Sequence, residues 1–403
     1  MSTEVVITGI GLLSGFGSGA SAHWTVLSQQ GIVPNVDADR FAPYVVHPLG
    51  AVDFAPQIPK KADLRQMETW QRIGVHAAGL ALADAGIAGR LEYLATTNLI
   101  VAAGSGERDT ATDMKVLETI AGREDADVRA NEILPSNLRP TLFLAQLSNL
   151  LAGNISIVHR VTGSSRTFMG EEMAGFAAVE TAFRRIAAGQ GSLFLVGGAY
   201  NAEREDALLN FELGGMLLKG QLASIWERAQ RSTAGFAPAS LGAFLVIEER
   251  GHAERRGAQA YAQISDVRTG RCNRSAGAAT ESLRALHARL PSGRNKGPLA
   301  ILSGASGTEP ATSEERAFIE GLLESRPETA IRAYGSLLGH GVEAHFPLGL
   351  ALAAMALKKG RFYPPFDATG IERELLSAPP EILVTGCGHW RGEALALVTA
   401  EEA

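Results

Sequence analysis

Nine histidines and two cysteines are the side chains of this 403-residue sequence best suited to nucleophilic, metal-binding or acid–base chemistry. Cys272 and Cys387 form no C-x-x-C pair, so neither a disulfide framework nor a cysteine-based metal site is expected. The histidines are scattered. His340 and His345 are five residues apart with Gly341 between them, a poor pair for one helix face, and a lone histidine is at least as readily a hydrogen-bonded structural residue. Gly9-x-Gly11, followed by Gly15 and Gly17, invites a dinucleotide reading, because glycines after a buried strand can admit a pyrophosphate to a helix N-terminus. The third glycine falls one residue late, however, and no acidic residue ends a second strand at the distance ribose binding needs, so packing at a strand and turn is the better reading. H-E-x-x-H, P-loop and G-x-S-x-G patterns are absent.

The elements that position these residues follow from periodicity. Val5–Gly11 is continuously apolar and β-branched, the mark of a strand covered on both faces, and so are 98–103, 193–196, 244–247, 299–302 and 382–384. Helical patterns lie between them, over 71–85 and over 171–188. In the second, Phe176, Val179, Phe183 and Ile186 share one face. Strands alternating with helices imply an α/β protein with mostly parallel sheets. The charged, glycine-marked stretch 249–257 suggests two halves, 1–250 and 251–403, the second closing in a glycine-rich hairpin over 385–399.

A net charge of −6 argues against nucleic acid or an anionic membrane as the main partner. The N-terminus lacks a basic leader, and the longest apolar run, 347–357, is 11 residues, against the ~20 that cross a bilayer. A cytoplasmic protein without membrane insertion is expected.

Val5–Ser14, Leu150–Ile157, Gly197-Gly198-Ala199, Leu245–Glu249 and Gly335–Gly341, in that order and spanning nearly the full length, resemble the β-ketoacyl-ACP synthase family of elongating condensing enzymes. The resemblance implies a thiolase-like fold, with two related halves in α-β-α-β-α layers, and no cofactor or metal. In that family a cysteine at the N-terminus of a buried helix attacks the acyl thioester, with its thiolate favoured by the helix dipole. Two histidines and a lysine stabilise the oxyanion and promote decarboxylation of the malonyl extender.

Carried onto this chain, the family spacing places the nucleophile at Glu172, whether counted forward from Gly153 or backward from Gly189. The first histidine position is Ser306, the lysine position is Gly335, and the second histidine is retained as His340. His389 stands where the gating phenylalanine belongs. A carboxylate cannot hold a chain as a thioester, and an acyl anhydride is too labile to store one, so the chain is expected not to condense alone. Glu172 then either caps its helix inertly or retains a role in malonyl decarboxylation or in holding a partner's geometry.

Such a chain is similar to chain-length-factor subunits, which usually carry glutamine at this position. The implied partners are a Cys-bearing ketosynthase in a heterodimer, or a second copy in a homodimer, together with an acyl carrier protein. A malonyl-ACP decarboxylase using Glu172 as base and His340 as donor, and a non-catalytic scaffold, are the alternatives. Ser164–Met169 would pair across the dimer. Arg184-Arg185, Lys60-Lys61 and Lys358-Lys359 are candidate docking points for an acidic carrier. The stretches 65–72 and 138–146 are also similar to cysteine-less synthase-like proteins encoded beside a normal synthase in bacterial gene sets for very-long-chain lipid A acyl groups.

Overall fold

All ten residues of the first strand, β1 (Val5–Ser14), are buried, so Gly9 and Gly11 lie inside the strand instead of ending it. A Cβ on either would run into the backbone carbonyls of Ala81 and Ala77, in the helix Thr69–Asp84. The glycines therefore serve helix-on-strand packing, the close approach that only a missing side chain permits. A bulge between Ile7 and Gly9 resets the alternation, so that Val5, Ile7, Ile10 and Leu12 all face one core.

The computed structural model describes residues 3–138, 142, 146–230, 234–291 and 299–401, so much of the 138–146 stretch lies outside the described residues. The remaining strands are β2 (Gly17–Ser18), β3 (Asn98–Ala103), β4 (Ser165–Met169), β5 (Leu193–Tyr200), β6 (Leu241–Glu249), β7 (Ala262–Gly270), β8 (Leu299–Ser303), β9 (Ala330–Ala333), β10 (Glu381–Cys387) and β11 (Glu393–Thr399). They run in the order β4-β3-β5-β6-β1-β7-β11-β10-β8-β9, with β2 on β1.

That order is a palindrome. On one side β4, β3 and β5 are parallel, followed by antiparallel β6 and β1; on the other β9, β8 and β10 are parallel, followed by antiparallel β11 and β7. The copies meet at a short antiparallel seam where Val5 faces Ile264. Two related halves are thus written in the topology, although 249–257, which reads as a break, folds into the helix Arg250–Arg255.

Helices Glu172–Ala187 and His345–Lys359 pack against each other between the half-sheets and share one core with the inner strand faces. Every residue from His345 to Leu357 is buried, so the apolar run read as too short for a membrane is a core helix. No helix among the described residues is long and apolar enough to cross a bilayer. Thr69–Asp84 and Leu150–His159 cover the outer face of the first half, and Ala278–His287 and Ala311–Ser325 that of the second, which completes the α-β-α-β-α layers. The carboxyl ends of both parallel triplets open onto the start of the Glu172 helix, where open α/β sheets place ligands.

Candidate active site

Glu172 is the first residue of its helix, delivered by a turn through Gly170 at φ +145°, and its side chain is 3% exposed. Phe176, Val179, Phe183 and Ile186 are buried as their spacing predicts and hold the helix in the core. His340 is fixed by backbone bonds to 237–239: its N–H donates to Ala237 O and its carbonyl accepts from Ala239 N–H. His389 sits at the tip of the β10–β11 hairpin. Arg274 braces that tip, donating to the carbonyls of Gly388 (2.8 Å) and Gly392 (3.1 Å) and pairing with Glu393.

Both histidines reach the same carboxylate oxygen. His389 Nδ1 is 3.0 Å and His340 Nε2 3.3 Å from Glu172 Oε1. The distances are short but the angles are poor, so both Glu172 oxygens and both ring nitrogens remain without an aligned hydrogen bond. The far side of the His340 ring fixes its proton. Val342 N–H donates to His340 Nδ1 at 3.2 Å, which leaves the neutral ring's proton on Nε2. Ser306 Oγ accepts from Thr308 N–H and lies 2.8 Å from His389 Nε2. His340 thus presents an N–H toward Glu172, and the Ser306 hydroxyl holds the His389 ring in place.

Glu172, His340 and His389 also place three potential metal-ligand atoms within 4.8 Å of one another. A metal would need the Nε2 lone pair of His340, which the bond from Val342 N–H withholds by keeping the proton on that atom. With that nitrogen lone pair withheld, the trio fits a metal centre poorly. Val342 itself has φ +44°, a left-handed conformation unfavourable for a β-branched residue, and it belongs to the turn that aims its N–H at His340.

Burial keeps these rings neutral. It lowers His340 far below the usual imidazole value, assisted by His345, His389 and Arg228, and lowers His389 against the opposing charge of Glu172. His345, which sequence reasoning set aside, is brought into the site: the turn Val342–Ala344 folds its ring to 4.0 Å from that of His340, and burial pulls it down to about 3. Gly335 stands where the resemblance places lysine. A Cβ there would meet Ile225 Cδ1 at 3.0 Å, Ala305 O at 3.3 Å and His345 Cε1 at 3.5 Å, so neighbours close in on that position.

Cys387 also comes closer than its place in the closing hairpin suggests. It borders, with Glu172 and His345, a void of about 10 Å³, room for roughly one water. Burial holds its thiol well above the ordinary value, so it is a thiol and not a nucleophilic thiolate. Cys272 packs against the cluster that holds Cys387, donates a hydrogen bond to Glu393 and accepts one from Arg274.

A larger cavity of about 320 Å³ opens beyond Glu171, at the carboxyl ends of β3, β4 and β5. Glu343, unforeseen in the sequence, lies in its wall. Burial, with Glu172 and Glu171 adding to it, pushes this carboxyl up to about 8. An acid and a histidine two residues apart, Glu343 and His345, at the head of an otherwise apolar run to Leu357 were the signal that could have found it.

A family model described as Beta-ketoacyl synthase, N-terminal domain, matches residues 2–253. The 3-oxoacyl-[acyl-carrier-protein] synthase 2 of Vibrio cholerae serotype O1 is 27% identical over 270 residues, which span 65% of this chain and 61% of that protein's length. The actinorhodin polyketide putative beta-ketoacyl synthase 2 of Streptomyces coelicolor is 25% identical over 419 residues, 96% of each chain. Among solved structures, the ishigamide ketosynthase/chain length factor superposes with a TM-score of 0.78 at 18% identity over the whole of both chains. A type II PKS acyl-carrier protein in complex with its ketosynthase bound to the hexaketide gives 0.76 at 17%, again over both chains in full. These structures share the thiolase-like fold described above.

Proposed function

The chain belongs to the beta-ketoacyl synthase family, and we propose that within it this protein is a chain-length-factor-like subunit that does not itself condense. It partners a cysteine-bearing ketosynthase in fatty-acid or polyketide elongation, and residues 1–250 and 251–403 are its two ketosynthase-like halves. The observation that carries this reading is Glu172. It occupies the first residue of the buried helix where the resemblance places the nucleophile, beside a void that admits no acyl chain. Ser306 and Gly335 stand at two of the other catalytic positions, and His389 at that of the gating phenylalanine. The first of these holds His389 in place of doing chemistry.

β4 supports a dimeric assembly. It is an edge strand paired only with β3 among the described residues, and Met169 on it is 71% exposed. Of the basic pairs, Arg184 and Arg185 bond within the chain and Lys358 lies over the Tyr261 ring, which leaves exposed Lys60-Lys61 as the best carrier contact. Co-expression with a cysteine-bearing synthase encoded beside it, followed by native mass spectrometry, should give a one-to-one heterodimer. A pure homodimer that condenses acyl-ACP with malonyl-ACP unaided would rule the reading out.

The close approach of His340 Nε2 to Glu172 favours a second reading, a malonyl-ACP decarboxylase with Glu172 as base and His340 as donor. It requires CO2 release that disappears in Glu172→Gln and His340→Ala.

A further inference from the structure

The palindromic sheet has two edges, and the chain treats them differently. β9 is sealed. All four of its residues are buried, Ala333 N–H donates to Glu372 at 2.8 Å, and Arg332 donates to the carbonyls of Tyr363 (2.8 Å) and Arg373 (2.9 Å). The segment 363–373 thus bonds along that edge and brings a carboxylate to it. β4, at the opposite edge, has no such cover. None of Ser165–Met169 is buried, and beyond the ladder with β3 they make no backbone bond among the described residues. An open edge is a template for another strand.

Each edge strand also carries an arginine on its inner side: Arg332 lies beside Leu302 and Arg166 beside Ile100, and both neighbours belong to the central core. Arg332 is buried against the opposing charges of Glu372 and Glu374. Arg166 is exposed and makes no ion pair among the described residues; its guanidinium lies 5.9 Å from the Phe168 ring of its own strand. Arg185, which donates to Ser164 Oγ at 3.2 Å at the head of β4, bonds otherwise to the Gln190 carbonyl and meets no carboxylate either. Residues 164–169 contain no acid, and Glu171 just beyond them pairs with Arg391.

A second copy is therefore a poor occupant of this edge. In a two-fold antiparallel pairing centred on Thr167, each Arg166 faces a Phe168, and the two arginines lie diagonally across the seam, roughly 7–8 Å apart on one sheet face. Centring on Arg166 sets them directly opposite each other. Like charges so placed oppose association. We propose that β4 receives a strand of a different protein, one that presents a carboxylate across from Arg166, and that this arginine selects such a partner over a second copy of the chain. The inference rests on the reading above for the existence of a partner subunit and adds what its facing strand must carry.

The required charge can be placed on the chain itself, so the test starts without a partner. Sedimentation equilibrium is run on the full-length parent, on Arg166→Glu and on their equimolar mixture, with one component isotope-labelled so that native mass spectrometry counts mixed dimers. The mixed dimer should be at least about fivefold tighter than either dimer alone. Arg166→Ala should self-associate more tightly than the parent. Raising salt from about 50 to about 500 mM should strengthen self-association of the parent and weaken the mixed dimer, because screening removes repulsion in one and attraction in the other.

Parent dimers as tight as mixed ones, no dimer of any composition, or salt responses of the same sign would overturn the proposal. A heterodimer with the neighbouring cysteine-bearing synthase that forms equally well with Arg166→Glu would also overturn it, while leaving the proposed function intact.

Discussion

Two buried glutamates a short distance apart have opposite surroundings. Glu172 lies close to two imidazole nitrogens beside a void of about 10 Å³, whereas Glu343 is a wall residue of a cavity of about 320 Å³. The first environment leaves no space for substrate. The second raises a carboxyl and leaves an opening beside it. On this comparison the position that the family resemblance gives to the nucleophile is closed off, while the neighbouring space still has room.

Removing Glu172 should have the larger effect. Glu172→Ala removes a buried side chain packed against two imidazole rings and opens a cavity, and should lower the unfolding free energy by roughly 2–5 kcal/mol, measured by denaturant titration at pH 7. Glu172→Gln should cost less, since it keeps the volume. A loss in Glu172→Ala indistinguishable from that of an exposed-site control would mean that the carboxylate merely fills space.

The two sites should also respond to pH in opposite directions. Glu343 holds its proton more tightly folded than unfolded, so its contribution is complete below the ordinary carboxyl value and is lost as pH rises toward about 8. The loss is on the order of a few kcal/mol and should vanish in Glu343→Gln. His340, His345 and His389 have depressed values, so what they contribute is present above the ordinary imidazole range and is lost as pH falls below it. Stability curves of the parent and of Glu343→Gln should therefore coincide on the acid side and diverge on the alkaline side. Divergence on the acid side alone would reverse the assignment.

The smallest effect concerns Cys387. Native iodoacetamide labelling at pH 7 should leave it unmodified for as long as the chain stays folded, because its thiol is buried and its ionisation is suppressed. Rapid native modification there would show that the space beside Glu172 is open to small molecules.

Much of this architecture is legible in the residues. Continuous β-branched runs mark strands buried on both faces, and the four-residue apolar stripe from Phe176 to Ile186 fixes which side of the Glu172 helix enters the core. The short strand β9 and the polar-alternating β7 carry weaker signals and were not identified. Gly9 and Gly11 look like a turn, yet they lie within a ten-residue strand, because what they accommodate is a helix distant in sequence. His345 and Glu343 escaped for a related reason. Their approach to the site depends on a strained turn at Val342, which helical spacing rules cannot anticipate. The position of Glu172 could be counted out, but its two imidazole neighbours come from separate loops of the second half, and only the folded arrangement brings them together.

Intact-protein mass spectrometry of the purified chain, incubated with acyl-ACP and malonyl-ACP, tests the central claim most directly. The account predicts an unmodified mass and no elongated product. An acyl adduct that turns over to a longer chain, on Glu172 or any other side chain, would contradict it.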